Sequence, residues 1–200
     1  NNSGPLFILG AVGISMYHNL RIGIALYAAH ILSAILTGLL FRFYRKNDFN
    51  APAAELGVEE KSFSEMFSAV LANSLQSILI VCGAVVFFSV ISSIIIDFIP
   101  LSENIKATVV GIFEFATGIK AVAGASMPLL EKLVISAWVV GFAGISVHIQ
   151  VMSVAAGRGL SLVPYIVGKA VQGIISMILV FVILRLVPIE TAVFSPSAIE

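Results

Sequence analysis

The chain has 200 residues, 59% of them hydrophobic and 11% charged, with a mean hydropathy of +1.07 and no net formal charge at neutral pH. Soluble domains carry about 25% charged residues, so this composition describes an integral membrane protein with the lipid bilayer as its main partner. Zero net charge gives no electrostatic footprint for nucleic acid, and the lone Cys82 excludes an internal disulfide or a multi-cysteine metal site.

The chain opens on Asn1-Asn2-Ser3-Gly4-Pro5 with neither an initiator methionine nor a basic n-region. This reads as a single transmembrane domain, residues 1–200, that is an N-terminally truncated part of a longer membrane protein. Residues 5–16 are apolar but shorter than the roughly 20 residues a spanning helix needs, which suits a half-helix or re-entrant element. Gly4 and Pro5 fit its N-cap and first position. A buried helix N-terminus is a site for an anion, which makes Asn2, Ser3 and Gly4 candidate binding residues. An ordinary capped surface turn is the competing reading.

Ile22–Phe41 is long enough to span, with Tyr27, His30 and Thr37 on one helical stripe. His30 is a candidate proton relay or a satisfied structural histidine. Arg42, Arg45 and Lys46 begin a polar stretch to Lys61, which the positive-inside rule places on the cytoplasmic side as loop 42–61. Ser62-Phe-Ser-Glu65 is a capping box, and the amphipathic turns after it suit the interface. Asn73, Gln76 and Ser77 either border a cavity or bond a neighbouring helix. Ile78–Ile96 is a further uncharged run of spanning length.

Lys106–Gly118 is again short, and Gly118, Gly124 and Pro128 punctuate the chain from there to residue 128, predicting a broken helix or hairpin. Glu114 stands there between Phe113 and Phe115. An intramembrane carboxylate points to a substrate or ion site, with Thr117 one turn on; the alternative is an acid paired with Lys106 or Lys120. Leu133–Gly157 is broken at Gly141-Phe-Ala-Gly144, after which Ser146, Gln150 and Ser153 form a polar stripe that omits His148. Val163–Leu184 is the last span, carrying Tyr165, Lys169, Gln172 and Ser176 on one stripe. Lys169 is a candidate coupling group or a snorkelling cation.

The order half-helix, polar turn, span occurs in Gly4–Phe41 and again in Gly144–Leu184. Paired interrupted segments are the best sequence pointer to a transporter site at a repeat interface. The fold class is therefore all-α, a polytopic membrane protein with broken or re-entrant helices and an internal repeat.

The opening run Asn1–Gly13 and the segment Gly141–Ser153 resemble the two signature segments of the YlbJ family of sporulation integral membrane proteins. That resemblance implies a nucleoside-recognition, or gate, domain. Phe113-Glu114-Phe115-Ala116 is also similar to a motif of concentrative nucleoside transporters, with Phe113 in place of its asparagine. The function implied is transport of a small organic anion, dipicolinic acid, across the outer forespore membrane during sporulation. A nucleoside carrier and a structural or assembly protein of the spore are the alternatives, and a second copy of the chain is an admissible partner. The expected binding residues are Asn2, Ser3, Gly4, Glu114, Thr117, Gly144, Ser146 and Gln150, with Glu114, His30 and Lys169 as proton- or ion-coupling groups. No redox or hydrolytic constellation, cofactor or metal site is expected.

Overall fold

A computed structural model describes residues 2–44, 62–155 and 161–187, and every regular element among them is helical. An N-terminal π-helix, Leu6–Met16, is followed by α1 (Leu20–Phe41), α2 (Phe63–Phe98), α3 (Glu103–Phe113), α4 (Phe115–Gly124), α5 (Leu129–Phe142), α6 (Gly144–Ala155) and α7 (Val163–Leu186). Among the described residues, four segments are long and apolar enough to cross a membrane: α1, α2, Leu129–Ser153 and α7. Most of loop 42–61 lies outside the described residues.

The predicted half-helix at 5–16 is a π-helix, ending in the i to i+5 bond from Tyr17 N to Val12 O at 3.0 Å. Such turns are usually single bulges, and often at functional positions. His18 then turns the chain with φ 52°, and the Asn19 side chain caps α1 by accepting from Arg21 N at 2.9 Å. The π-helix folds back on α1: a Cβ on Gly13 would lie 2.6 Å from the Cα of Gly23. Tyr17 joins this hairpin to α5, its hydroxyl lying 2.8 Å from Ser136 Oγ and donating to Lys132 O at 3.3 Å.

Helix α7 runs antiparallel to α1, with Thr37 beside Gly168, and Phe41 and Tyr44 beside Pro164 and Tyr165. Against α5 it packs backbone to backbone, since a Cβ on Gly141 would sit 2.7 Å from Gly173 Cα. Where lipid removes the hydrophobic drive between helices, small residues permit this approach and dispersion holds it. The core they enclose contains Ile8, Leu26, Leu133, Val140 and Val180.

Two segments differ from the sequence expectation. The amphipathic stretch after Ser62 and the span Ile78–Ile96 form one helix of 36 residues, about 54 Å long, because no glycine pair or proline interrupts them. The capping box is present, but Asn73, Gln76 and Ser77 are exposed, and burial on α2 is confined to Phe88, Ser92 and Ile95. The second difference is the break expected around Gly118, which occurs at Glu114.

Candidate functional site

Glu114 is the tip of a helical hairpin. It is extended, with φ −138° and ψ 115°, between α3 and α4. The arms fold back so closely that a Cβ on Gly118 would lie 2.1 Å from Gly111 Cα, which explains why Gly118 sits inside α4 and not at its start. Ala107 on one arm packs with Val122 and Ala125 on the other side of the tip. Arms of 11 and 10 residues are each about 15 Å long, half the hydrocarbon thickness.

The Glu114 carboxylate turns onto its own helix. Oε1 accepts from Ala116 N at 3.1 Å and Oε2 from Thr117 N at 2.5 Å, so both oxygens serve two of the amides that α4 leaves unpaired. The charge is met by the positive end of α4. Neither lysine considered as a partner is there: Lys106 donates to Ile96 O and Lys120 is exposed.

A second break lies at Ala143, which ends α5 in the left-handed region with φ 73° and donates its N–H to Val139 O at 2.8 Å. Gly144 follows with φ 71°. It lies against the hairpin tip, where an added Cβ would come within 3.1 Å of Phe115 N and 3.4 Å of the carbonyl oxygens of Gly111 and Phe113. The two breaks therefore touch. The start of the π-helix is the third interrupted end, and Asn2, Ser3 and Gly4 line one cavity of about 400 Å³ with Glu114, Ala143 and Gln150. Phe7 and Phe115, with ring centroids 5.1 Å apart, are also in its wall, and Val81 and Val85 of α2 close it.

The chain is 26% identical over 232 aligned positions, covering 98% of its length, to the sporulation integral membrane protein YlbJ of Bacillus subtilis strain 168. The similarity runs along nearly the whole chain. It spans 56% of the length of that curated relative. No family model matches the chain, and no solved structure does. The name of this relative and the four apolar helices among the described residues agree that the chain is an integral membrane protein.

The expected binding residues divide into those that reach the cavity and those that do not. Asn2, Ser3, Gly4, Glu114 and Gln150 line it. Thr117 contributes a backbone amide to Glu114. Gly144 is packed on the hairpin tip, and Ser146 is fully buried away from the cavity wall, its hydroxyl without a hydrogen-bond partner among the described residues. The start of α6 thus packs against the carbonyl end of α3.

Of the coupling candidates, Lys169 is 5% exposed and donates to Gln172 Oε1 at 2.9 Å and to Asn2 Oδ1 at 3.4 Å. Gln172 Nε2 donates to Asn2 Oδ1 at 3.0 Å. His30 is fully buried on α1, neither ring nitrogen bonded among the described residues. Gln172 was legible only as part of the stripe on α7; its bond to Asn2 was not. His148 lies off the α6 stripe, yet its ring centroid sits 4.7 Å from that of Phe142 and 5.4 Å from that of Tyr165, and its Nδ1 is 2.6 Å from Gly144 O. Among the described residues no three His, Cys, Asp or Glu side chains converge on a metal position.

Proposed function

We propose that this chain is the substrate-holding part of a membrane transporter for a small organic anion, acting during spore formation, with dipicolinate as the substrate to test first. One observation carries the reading. Three interrupted helix ends converge on one cavity, and the acid in its wall is hydrogen-bonded to the amides of the helix it caps. Non-helical backbone at membrane depth is tolerated only where it is buried in protein or lines a cavity. A site with the start of the π-helix, the side-chain amides of Asn2 and Gln150, and two phenylalanine faces suits a planar ring bearing a carboxylate. The sporulation assignment comes from the name of the YlbJ relative, and dipicolinate from the family resemblance.

In this reading the π-helix with α1, and α6 with α7, are two copies of one unit, and the α3–α4 hairpin is re-entrant. Alternating access would then rock these elements about the cavity. The phenylalanine pair also suits a nucleobase, which makes a nucleoside carrier the competing substrate class.

The test is counterflow of labelled dipicolinate in proteoliposomes containing the chain, with unlabelled dipicolinate and nucleosides as competitors. Saturable exchange blocked by dipicolinate and indifferent to nucleosides supports the reading. Exchange blocked by nucleosides alone makes it a nucleoside carrier, and no exchange of either in membranes where the protein is folded refutes transport by the chain.

A further inference from the structure

The polar stripes of α1 and α7 face each other in this fold. On α1, His30 shares its face with Thr37; on α7, Ser176 shares its face with Lys169 and Gln172. The antiparallel register set by Thr37 beside Gly168 brings His30, seven residues before Thr37, level with Ser176, eight residues after Gly168. Both His30 and Ser176 are fully buried.

Four polar atoms of this seam, on three side chains, are buried without a hydrogen-bond partner among the described residues. Both ring nitrogens of His30, Oγ1 of Thr37 and Oγ of Ser176 have no hydrogen bond among the described residues. Leaving a buried polar atom unsatisfied costs about 1–3 kcal/mol, and four in one seam is a burden that membrane helices do not carry idly. Buried polar groups of this kind are ordinarily satisfied by water with two to four polar neighbours. A way in exists: a second cavity of about 410 Å³, lined by Asn2, Thr37, Tyr165, Lys169 and Gln172, opens at the Phe41–Tyr44 end of the seam. From Thr37 to His30 is about 10 Å of helix, a distance three or four waters span. Asn2 lines this cavity and the Glu114 cavity alike, so the seam and the substrate site adjoin at one side chain.

We propose that the seam between α1 and α7 is a hydrated proton path and that His30 is the group that takes up and releases the proton. A hydronium in the seam gives its proton to a ring nitrogen of His30, leaving water and an imidazolium; in the return step the imidazolium N–H gives the proton back to a seam water. Of the elements packed on α1, α7 brings Lys169 and Tyr165 toward this seam. The turn after the π-helix and α5 bring Tyr17 and Lys132 at the opposite end of α1, where Tyr17 donates to the Lys132 carbonyl. Lys169, bonded to Gln172 and Asn2, is the fixed charge the proton must pass, which places the imidazolium and the substrate anion on either side of Asn2. The proposal deepens the transport reading by naming a coupling ion, and in that respect rests on it.

Exchange of the imidazole C2 hydrogen for deuterium, followed residue by residue by mass spectrometry across a pH series, tests the path without any transport assay. The reconstituted chain is used, with exposed His18 as internal reference. His30 is expected to exchange with a sigmoidal pH profile, as a titrating group in contact with water does, and Thr37→Val with Ser176→Val is expected to slow it about tenfold, the equivalent of 1.4 kcal/mol. A His30 that exchanges at no pH while His18 does overturns the proposal. In proteoliposomes, His30→Gln is expected to leave dipicolinate counterflow intact and to lower uptake driven by a pH gradient about a hundredfold, the scale of a lost proton-transfer group. Retention of gradient-driven uptake by that variant also overturns it. Wild-type protein that shows neither flux but does show the His30 profile sinks the transport reading and leaves the proton path standing.

Discussion

The side-chain amide of Gln172 donates to Oδ1 of Asn2 at 3.0 Å, joining residues 170 positions apart. Lys169 donates to both partners, so the start of the π-helix is held on α7 by an amide and an ammonium together. The bond closes the cavity on one side and bounds the α1–α7 seam on the other. Replacing Asn2 by alanine removes an acceptor shared by two donors. Side-chain hydrogen bonds between membrane helices contribute about 0.6 kcal/mol on average and up to about 1.7. Asn2→Ala is therefore expected to destabilise by about 1 kcal/mol in reversible unfolding from mixed micelles, and Gln172→Leu by at least as much, since it also removes an acceptor of Lys169.

The Glu114 cap predicts a graded series. Glu114→Gln keeps one acceptor for α4 but loses the charge, whereas Glu114→Ala leaves Ala116 N and Thr117 N unserved at a buried tip. Loss of an N-cap costs about 0.5–2 kcal/mol. The alanine variant is expected at the upper end and the glutamine variant near the lower, read by the same unfolding measurement, with flux falling in the same order. Equal stability of all three proteins would mean that the carboxylate does not hold the hairpin.

Glycine substitutions should separate the hairpin from an ordinary helix surface. A Cβ at 118 would overlap the Gly111 backbone, so Gly118→Ala is expected to cost about 1–3 kcal/mol or to abolish the native fold. Gly38, in α1, has nothing within 4 Å of an added Cβ, and Gly38→Ala is expected to be stabilising by up to about 1 kcal/mol. Thermal stability in detergent distinguishes the two directly.

Ala143 holds a left-handed conformation that costs an L-residue with a Cβ about 1–2 kcal/mol. Ala143→Gly is expected to raise stability by about 1 kcal/mol if the break is always present. A loss of stability would show that α5 and α6 straighten in part of the population.

Cysteine scanning in a Cys82→Ser background distinguishes a hydrated cavity from a packed interface. Gln150→Cys, in the cavity wall, is expected to react with a membrane-impermeant thiol reagent, while Ser146→Cys, one turn away and fully buried, is expected to resist it. Equal reactivity at both positions would remove the distinction between cavity and core on α6.

Composition and hydrophobic runs alone determined that this chain belongs in a membrane, that α1 and α7 are long and apolar enough to cross it, and that residues 5–16 and the stretch around Gly141–Gly144 interrupt the pattern. Those features are local: length, apolarity and glycine act through neighbours a few positions apart. The polar stripes on α1 and α7 were legible for the same reason, as spacings along one helix. That they face each other was decided by tertiary structure, through the antiparallel register of Thr37 and Gly168. So was the direction of the Glu114 carboxylate: a sequence shows an acid among apolar residues, but only the backward fold of Gly118 onto Gly111 makes it a cap and moves the break from the glycine to the acid. The cavity is assembled from residues near 2, 114, 143 and 150, whose proximity depends on backbone contacts at glycines that leave no mark in the local pattern.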